Sequence, residues 1–373
     1  ERLSHIHASA AGIICRLCKE NGATWVKAAQ FLSCRPDILP KEYIDALQTL
    51  QSNAAARPFR DVRAQLDAAW GVDWEEKFSE FNIIPVATAS VAQVHHATLV
   101  TGEEVAVKIR IPDVEELFKQ DAFVFNALAT LVAPLVKEID VRQIVNQLLT
   151  MTLAELDFNH EVENLFQFSQ LAHPARIKYP VLFAELCSDK VMVTGWVKGL
   201  KMRDYLDKYP EKANDTLTVL LDSYLQQVLQ YGMFHADPHP GNFIVSEDGV
   251  ITILDFGALA TLSQAEITHY SALMLGLLGI TKGNMRELFE NAGFQSEDEE
   301  VYDMIAEYVV TESGAPDLSE QLEEIMQRLR VASVKIPDSF VAMARVLITV
   351  GGFMRPYDVK FTWMPSVPMA VAS

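Results

Sequence analysis

The segment from residue 235 to residue 257 constrains the fold of this chain more than any other feature. It begins with His-Ala-Asp-Pro-His-Pro-Gly-Asn at residues 235–242 and ends with Asp-Phe-Gly at residues 255–257. Between them, two short apolar runs flank an Asp-Gly dipeptide at residues 248–249, which is typical of a tight β-hairpin turn. Because a hairpin brings its two outer ends together, we expect Asn242 and Asp255 to lie close to each other.

These polar residues are the types that phosphoryl transfer requires. A carboxylate such as Asp237 can orient an acceptor, while the amide oxygen of Asn242 and the carboxylate of Asp255 are hard ligands suited to magnesium. The spacing is similar to that of the catalytic and metal-binding loops of protein kinases. The alternative is that both aspartates are ordinary turn residues, which would require both motifs to occur in this order by chance. For His235 we predict a packed scaffold role rather than a general base.

A lysine on an apolar strand is the second candidate. In Val105-Ala-Val-Lys108 the apolar residues alternate, so the sequence predicts a strand with a lysine whose ammonium is costly to desolvate without an anion. The candidate partners are the phosphates of ATP and an acidic group on one predicted helix, Glu155, Asp157, Glu161 and Glu163. For Lys108, the alternative is an exposed lysine on an edge strand. For the acidic residues, the alternative is a solvated helix face.

The pattern along the chain predicts an α+β fold in three parts. Residues 1–80 form an N-terminal helical extension, residues 81–198 an N-lobe with a small antiparallel sheet, and residues 199–373 a helix-rich C-lobe. Long helical stretches include residues 114–169. Cys15 and Cys18 are expected to be helix residues rather than metal ligands, because a second pair at zinc spacing is absent from the sequence.

Composition narrows the classes of partner. The 31 basic and 50 acidic residues give a net charge of −19, which argues against nucleic acid as a partner. Four cysteines are too few for a disulfide scaffold, which favours an intracellular, reducing compartment. The apolar run at residues 273–280 is far shorter than the roughly 20 residues of a membrane span.

Three further motifs resemble the UbiB/ADCK family of atypical, protein-kinase-like proteins, and the resemblance covers almost the full length of the chain. The family's extension signature is matched by Lys-Ala-Ala-Gln at residues 27–30 with Arg-Pro-Asp at residues 35–37. Its Ala-rich loop, which replaces the Gly-rich loop of kinases, is matched by residues 86–94. Its acidic motif is matched by Glu-Leu-Asp at residues 155–157 with Glu161.

The resemblance implies a role for each of these residues. Lys108 would pair with Glu161, and the extension would be pinned over the nucleotide pocket by Lys27 pairing with Glu155 and Asp157, with Gln30 beside it. The nucleotide-binding loop would consist of Val86, Ala87, Thr88, Ala89, Ser90 and Val91.

The chain departs from the family pattern at three positions. Ala29 and Ala92 replace glycines, so each adds a methyl group and removes freedom at positive φ, and Gly195 stands where an acidic residue is common.

The resemblance also implies a two-lobed protein-kinase-like fold, ATP and magnesium as cofactors, and an ATPase or a small-molecule or lipid kinase rather than a protein kinase. The implied partners are an isoprenoid-quinone precursor or another lipid, quinone-biosynthesis proteins and a membrane surface. The implied location is peripheral to a bacterial inner membrane, a mitochondrial membrane or a plastid membrane. Two alternatives stay open: a nucleotide-gated binding or scaffold protein with little turnover, and a soluble small-molecule kinase of the aminoglycoside type, which has no need of the extension.

Overall fold

The structure, a computed structural model, describes residues 2–33, 39–50, 56–89, 91–134, 140–281, 283–297, 300–311, 318–357, 359–360 and 362–363. Helices and strands are mixed along the chain, so the predicted α+β class is confirmed. Within the described residues, no helix is both long and apolar enough to cross a membrane.

The helices are α1 (Arg2–Asn21), α2 (Ala23–Ser33), α3 (Lys41–Gln48), α4 (Phe59–Trp70), α5 (Val114–Val132), α6 (Val141–Ala154), α7 (Phe158–Ser169), α8 (Met202–Lys208), α9 (Ala213–Gln226), α10 (Gln264–Leu277), α11 (Met285–Asn291), α12 (Glu300–Thr311), α13 (Leu318–Val331) and α14 (Asp338–Met354). The strands are β1 (Phe78–Phe81), β2 (Ala87–Thr88), β3 (Ala92–Leu99), β4 (Glu104–Arg110), β5 (Ile177–Lys178), β6 (Val191–Gly195), β7 (Leu200–Lys201), β8 (Met233–His235), β9 (Phe243–Val245), β10 (Ile251–Ile253) and β11 (Leu259–Thr261).

The chain divides into two compact units, of which the first contains residues 1–166 and 180–197. Its sheet has the order β1-β3-β4-β6, with β2 paired to β3, and all of these pairs are antiparallel. The alternation predicted for β4 is present, because Val105, Val107 and Ile109 are fully buried. They pack in one cluster with Trp74 and Phe78, and burial of this apolar surface stabilises the sheet.

The helical extension has a small core of its own. Ala29 is buried in α2 and clusters with Cys18, Leu47 and Leu50. Its methyl group therefore fills space among apolar side chains, and its helical backbone does not need the freedom of glycine. Cys15 and Cys18 lie on α1, as predicted, and burial raises the pKa of both thiols. The Arg-Pro-Asp segment at residues 35–37 lies outside the described residues.

The prediction that the acidic group lies on one helix is wrong. α6 ends at Ala154 with Glu155 as its C-terminal cap, and α7 begins only at Phe158. The Asp157 carboxylate accepts a hydrogen bond from Asn159 N at 2.9 Å, so it caps the start of α7. An aspartate at this position satisfies an amide that would otherwise lack a partner, and the chain turns there.

The second unit contains residues 167–179 and 198–373. The predicted hairpin is present as the antiparallel pair β9–β10 within a sheet of order β5-β10-β9-β7, and Gly249 adopts a positive φ of 78° in its turn. A separate two-stranded sheet pairs β8 with β11. β8 leads directly into the segment at residues 235–242, while β11 follows Asp-Phe-Gly at residues 255–257.

Gly232 closes a π-helical turn, Gln227–Tyr231, immediately before β8. Its φ is 63°, and a Cβ atom there would lie 2.9 Å from the Leu262 carbonyl oxygen, which is backbone. We expect Gly232→Ala to lower the free energy of unfolding by about 2–3 kcal/mol, from the left-handed backbone and the crowding together. Urea denaturation measures this effect.

Gly279→Ala is the matched control for this prediction. Gly279 also has a positive φ, 68°, but none of the described residues lies within 4 Å of its Cβ position. The expected loss is therefore about 1 kcal/mol, from the backbone alone. Equal losses in the two variants would contradict the crowding at Gly232.

Candidate functional site

Lys108 and Glu161 form an ion pair in the first unit. The Lys108 ammonium donates to Glu161 Oε1 at 2.9 Å and to Oε2 at 2.7 Å. The two side chains are only 19% and 9% exposed, and the Lys108 Nζ lies 5.3 Å from the centroid of the Phe158 ring. β4 is flanked by β3 and β6, so the alternative of an exposed edge lysine is wrong. A cation so far removed from water is held in place by its carboxylate partner.

The extension is tied to the segment between α6 and α7. Lys27 Nζ on α2 lies 2.8 Å from Glu155 Oε1, and both side chains are largely buried. Gln30 Nε2 donates to the Leu50 carbonyl at 3.3 Å, a contact within the extension. The structure thus brings Lys27 and Glu155 together, while Asp157 caps α7. A regulatory role for these four residues stays a prediction.

The Ala-rich loop forms a short hairpin at the start of the sheet. Val86 N donates to Val94 O and Ala89 N donates to Ala92 O, both at 2.8 Å. Val86 and Ala87 are exposed, Thr88, Ala89 and Val91 are half-buried, and Ser90 lies outside the described residues. Ala92 is fully buried on β3, so its methyl group packs inward rather than toward a ligand. Nucleotide binding by this loop remains a prediction.

A buried polar chain that the motifs did not reveal lies just after this loop. Arg57 N donates to Gln93 Oε1 at 3.1 Å, and Gln93 Nε2 lies 2.9 Å from His95 Nε2. His95 Nδ1 lies 2.8 Å from the Asn82 carbonyl oxygen. A carbonyl can only accept, so Nδ1 carries the proton and Nε2 accepts from Gln93. Gln93 and His95 are both fully buried, and the hydrogen bond that His95 Nε2 accepts from Gln93 requires a neutral imidazole.

This chain of hydrogen bonds predicts how stability depends on pH. Burial lowers the pKa of His95 below its ordinary value of 6.5, so between the folded and unfolded pKa values the unfolded chain binds more protons. The free energy of unfolding is therefore expected to fall as the pH drops below about 6.5. In His95→Gln, which cannot titrate, the loss of stability between pH 7.5 and pH 5.0 should become smaller. An unchanged loss in urea denaturation would contradict this account.

Asp237 and Asn242 are joined in the second unit. Asn242 Nδ2 donates to Asp237 Oδ2 at 3.0 Å and to the Asp237 carbonyl at 3.1 Å. Both hydrogen bonds use the amide nitrogen of Asn242 and not its amide oxygen. Asp237 itself is exposed. The two residues therefore present a carboxylate and an amide oxygen on one short loop.

Asp255 is brought to the same end of the hairpin. Leu254 N donates to the Asn242 carbonyl at 2.7 Å, which extends the β9–β10 pairing to the residue before Asp255. Asp255 is exposed and has a φ of 54°, in a left-handed region that aspartate tolerates better than most residues. Its Oδ1 accepts from Gly257 N at 3.1 Å, so the carboxylate is oriented by the turn that follows.

His235 supports this arrangement from the protein interior, in agreement with its predicted scaffold role. It is fully buried, and its Nε2 donates to the Asp255 carbonyl at 2.7 Å. Its Nδ1 then accepts from the Tyr224 hydroxyl at 3.2 Å, and His235 N donates to Gln227 Oε1 at 3.0 Å. Tyr224 and Gln227 are fully buried, and burial raises the pKa of the Tyr224 phenol, with the charge of Asp237 acting in the same direction. Sequence reasoning missed both residues.

The donor set fits magnesium. Carboxylates at Asp237 and Asp255 and an amide oxygen at Asn242 are hard oxygen ligands, and two of the three side chains are exposed. The backbone contacts of Asn242 and Asp255 fix both residues at one end of the hairpin. The residues that would hold the metal are Asn242 and Asp255.

Comparison with known proteins places the chain in a family. The ABC1 atypical kinase-like domain matches residues 49–291, more than half of the chain. The protein named ACTIVITY OF BC1 COMPLEX KINASE 1, chloroplastic, from Arabidopsis thaliana is 29% identical over 94% of this chain and 53% of its own length. AarF domain-containing protein kinase 1 from Xenopus laevis is 28% identical over 78% of this chain and 57% of its own length. The chain thus spans little more than half the length of these two relatives.

A solved structure has a similar fold. The complex of Rv3197 with erythromycin from Mycobacterium tuberculosis has a TM-score of 0.61 and 26% identity, and the match covers 87% of this chain and 86% of that chain. The kinase-like α+β fold predicted from the sequence is confirmed. The chain belongs to the ABC1 atypical kinase-like family, which is the UbiB/ADCK family that its motifs indicated.

Proposed function

We propose that this protein uses Mg-ATP, as an ATPase or as a kinase of a small molecule or lipid. The observation that carries the proposal is the arrangement of Asp237, Asn242 and Asp255 at one end of the β9–β10 hairpin. Asn242 is hydrogen-bonded through its side chain to the Asp237 carboxylate and through its carbonyl to Leu254, the residue before Asp255. Positioning and charge neutralisation are the main tasks of a protein in phosphoryl transfer, and these residue types perform them.

Each residue has a distinct task in this proposal. Lys108, oriented by Glu161, would contact the α and β phosphates, and Asp237 would orient a water molecule or a hydroxyl acceptor. Asn242 and Asp255 would hold magnesium, which when bound neutralises phosphate charge and aligns the phosphates. The hydrogen bond from Asn242 to the Asp237 carboxylate would hold the group that orients the acceptor next to a metal ligand.

A small molecule or lipid is the acceptor class that we favour. The relative from Mycobacterium tuberculosis was solved with erythromycin, a small organic ligand. The ion pair between Lys27 and Glu155 keeps the extension beside the segment that leads to Glu161. By the family resemblance, the extension lies where a protein substrate would otherwise approach. An isoprenoid-quinone precursor, and quinone-biosynthesis proteins as partners, rest on the family resemblance alone.

An exposed apolar surface on α5 supports a membrane partner for the first unit. The side chains of Phe123 and Leu131 are 77% and 70% exposed, and Leu128 is also exposed between them. Residues 122–134 contain no ionisable side chain. Such a helix surface can lie in the interface of a bilayer, where its apolar side chains leave water.

The alternative is a nucleotide-gated binding protein with little turnover. The Lys27–Glu155 pair supports this function. Nucleotide contacts at Lys108 could order α7 and the segment before it, and the Lys27–Glu155 pair would transmit this ordering to the extension. Asp237→Asn distinguishes the two functions. If the protein is an ATPase or a kinase, the substitution lowers both ATP hydrolysis and the protein's function in the cell. If it is a nucleotide-gated binding protein, only ATP hydrolysis falls.

The proposal is tested by measuring ATP hydrolysis by the purified chain with magnesium, with and without neutral liposomes and a short-chain prenylated phenol. We expect turnover that requires magnesium and increases with the lipids. Magnesium-dependent nucleotide binding without turnover under all of these conditions would favour the binding protein. Absence of nucleotide binding would overturn both functions.

A further inference from the structure

A helix beyond the matched family domain contacts the loop that carries Asp237. α14 lies outside residues 49–291, yet Arg345 on this helix is half-buried and its Nη2 donates to the Ala236 carbonyl at 2.9 Å. Ala236 immediately precedes Asp237. A hydrogen bond from a cation to a partly buried carbonyl is stronger than one between neutral groups. The hydrogen bond from Arg345 is therefore expected to hold this loop more strongly than a hydrogen bond between two neutral groups would.

The peptide groups of Ala236 are held on two sides. Ala236 N donates to the Ala258 carbonyl at 3.0 Å, just after the Asp-Phe-Gly segment, while its carbonyl accepts from Arg345. The first contact joins the Asp237 loop to the Asp255 loop, and the second joins it to α14. Without the guanidinium, the carbonyl of the Ala236–Asp237 peptide would lose its side-chain donor, and the peptide plane could rotate. Such a rotation moves the Asp237 carboxylate.

α14 is fixed firmly enough to act as a support. Ser339 Oγ donates to Glu266 Oε1 at 2.5 Å and lies 2.7 Å from the Tyr270 hydroxyl, which ties the start of α14 to α10. Hydrogen bonds from Ser263 and Ser339 lower the pKa of Glu266, so this carboxylate stays ionised near neutral pH. Val346 and Val350 on the same helix are fully buried. The helix therefore holds Arg345 at a fixed distance from the loop.

We propose that Arg345 is a positioning residue for Asp237, and that α14 contributes to the phosphoryl-transfer site by carrying Arg345. The inference rests on the proposed function, because it assigns Arg345 a role in the same reaction. Arg345 does not need to touch the nucleotide to act in this way. Its effect should appear in kcat, because it aligns the group that orients the acceptor, and not in the affinity for Mg-ATP. A small misalignment of such a group is enough to lower the rate by about 10- to 100-fold.

The test compares Arg345→Met, Arg345→Lys and Arg345→Ala with the unmodified chain, by magnesium-dependent ATP hydrolysis and by calorimetric binding of Mg-ATP. In Arg345→Met we expect kcat to fall by about 10- to 100-fold while the dissociation constant for Mg-ATP changes less than twofold. Arg345→Lys keeps the charge but lacks the planar donors, so its kcat should be intermediate. Added ethylguanidinium should restore part of the kcat of Arg345→Ala, which a purely structural defect would not allow.

Arg355→Met is the matched control. Arg355 follows α14 and pairs with Glu320 and Glu323 on α13, so its loss should leave kcat unchanged. Wild-type kcat in Arg345→Met, or in a folded Arg345→Lys if the methionine variant does not fold, would overturn the inference and leave the proposed function intact. A parallel loss of kcat and Mg-ATP affinity without rescue would also overturn it. Absence of turnover by the unmodified chain would instead reject the proposed function, and this inference with it.

Discussion

Asp255→Asn is expected to reduce magnesium-dependent ATP hydrolysis by at least about 100-fold, the size of effect that follows removal of one electrostatic stabiliser. The substitution removes the charge that would bind magnesium but keeps an oxygen that can accept from Gly257 N. Asparagine also tolerates the left-handed backbone at φ 54°, so the fold should be kept. Initial rates over a series of magnesium concentrations measure the effect, and the concentration giving half-maximal rate should rise.

Asp248→Asn provides the matched control for the loss of charge. Asp248 is an exposed aspartate in the turn of the same hairpin, where its Oδ1 accepts from the Ser246 hydroxyl at 2.5 Å. Its substitution removes one carboxylate from the same unit without touching the proposed metal ligands, so turnover should stay near the wild-type value. Equal losses in both variants would mean that net charge or hairpin stability is responsible, and would count against a metal role for Asp255.

Lys108→Met is expected to abolish most ATP turnover and to lower the free energy of unfolding by about 2–4 kcal/mol. The methionine leaves the Glu161 carboxylate, which is 7% exposed, without its ammonium partner. Breaking a buried ion pair from one side is costly because the remaining charge stays out of water. The double variant Lys108→Met/Glu161→Leu removes both charges and should recover part of the stability while turnover stays low. Urea denaturation and hydrolysis rates on the same preparations separate the two effects.

The control for this pair is Lys119→Met on α5. Lys119 pairs with Glu115 at 3.2 Å, but both side chains are more than half exposed, so solvent screens the pair. Its loss should change the free energy of unfolding by less than about 0.5 kcal/mol. If Lys108→Met were no more destabilising than this control, the Lys108–Glu161 pair would not be the buried interaction that its geometry indicates.

Local patterns were enough to predict the parts of the fold that depend on neighbouring residues. Alternation of apolar residues in β4 predicted which side chains enter the core, because successive residues of a strand point to opposite faces. The Asp-Gly dipeptide at residues 248–249 predicted the β9–β10 hairpin, because glycine supplies the positive φ that the turn requires. That hairpin in turn accounts for the proximity of Asn242 and Asp255.

Features that depend on distant partners or on helix ends were missed. The break between α6 and α7 has no glycine or proline to mark it, although Asp157 is a residue type that commonly begins a helix. Tyr224 and Gln227 are ordinary residues of a helical pattern, and their contacts with His235 depend on the π-helical turn that reorients the chain. Arg345 contacts a residue 109 positions earlier in the chain. A pattern within a short window cannot reveal such a contact.

Magnesium-dependent binding of ATP is tested by calorimetric titration of ATP into the purified wild type and Asp255→Asn, with magnesium and with EDTA. We expect magnesium to tighten ATP binding at least about tenfold in the wild type, roughly 1.4 kcal/mol, and to have little effect in Asp255→Asn. ATP binding that does not respond to magnesium in the wild type would contradict the assignment of this chain as an Mg-ATP-dependent protein. An equal response to magnesium in both proteins would contradict the assignment of Asp255 as a metal ligand.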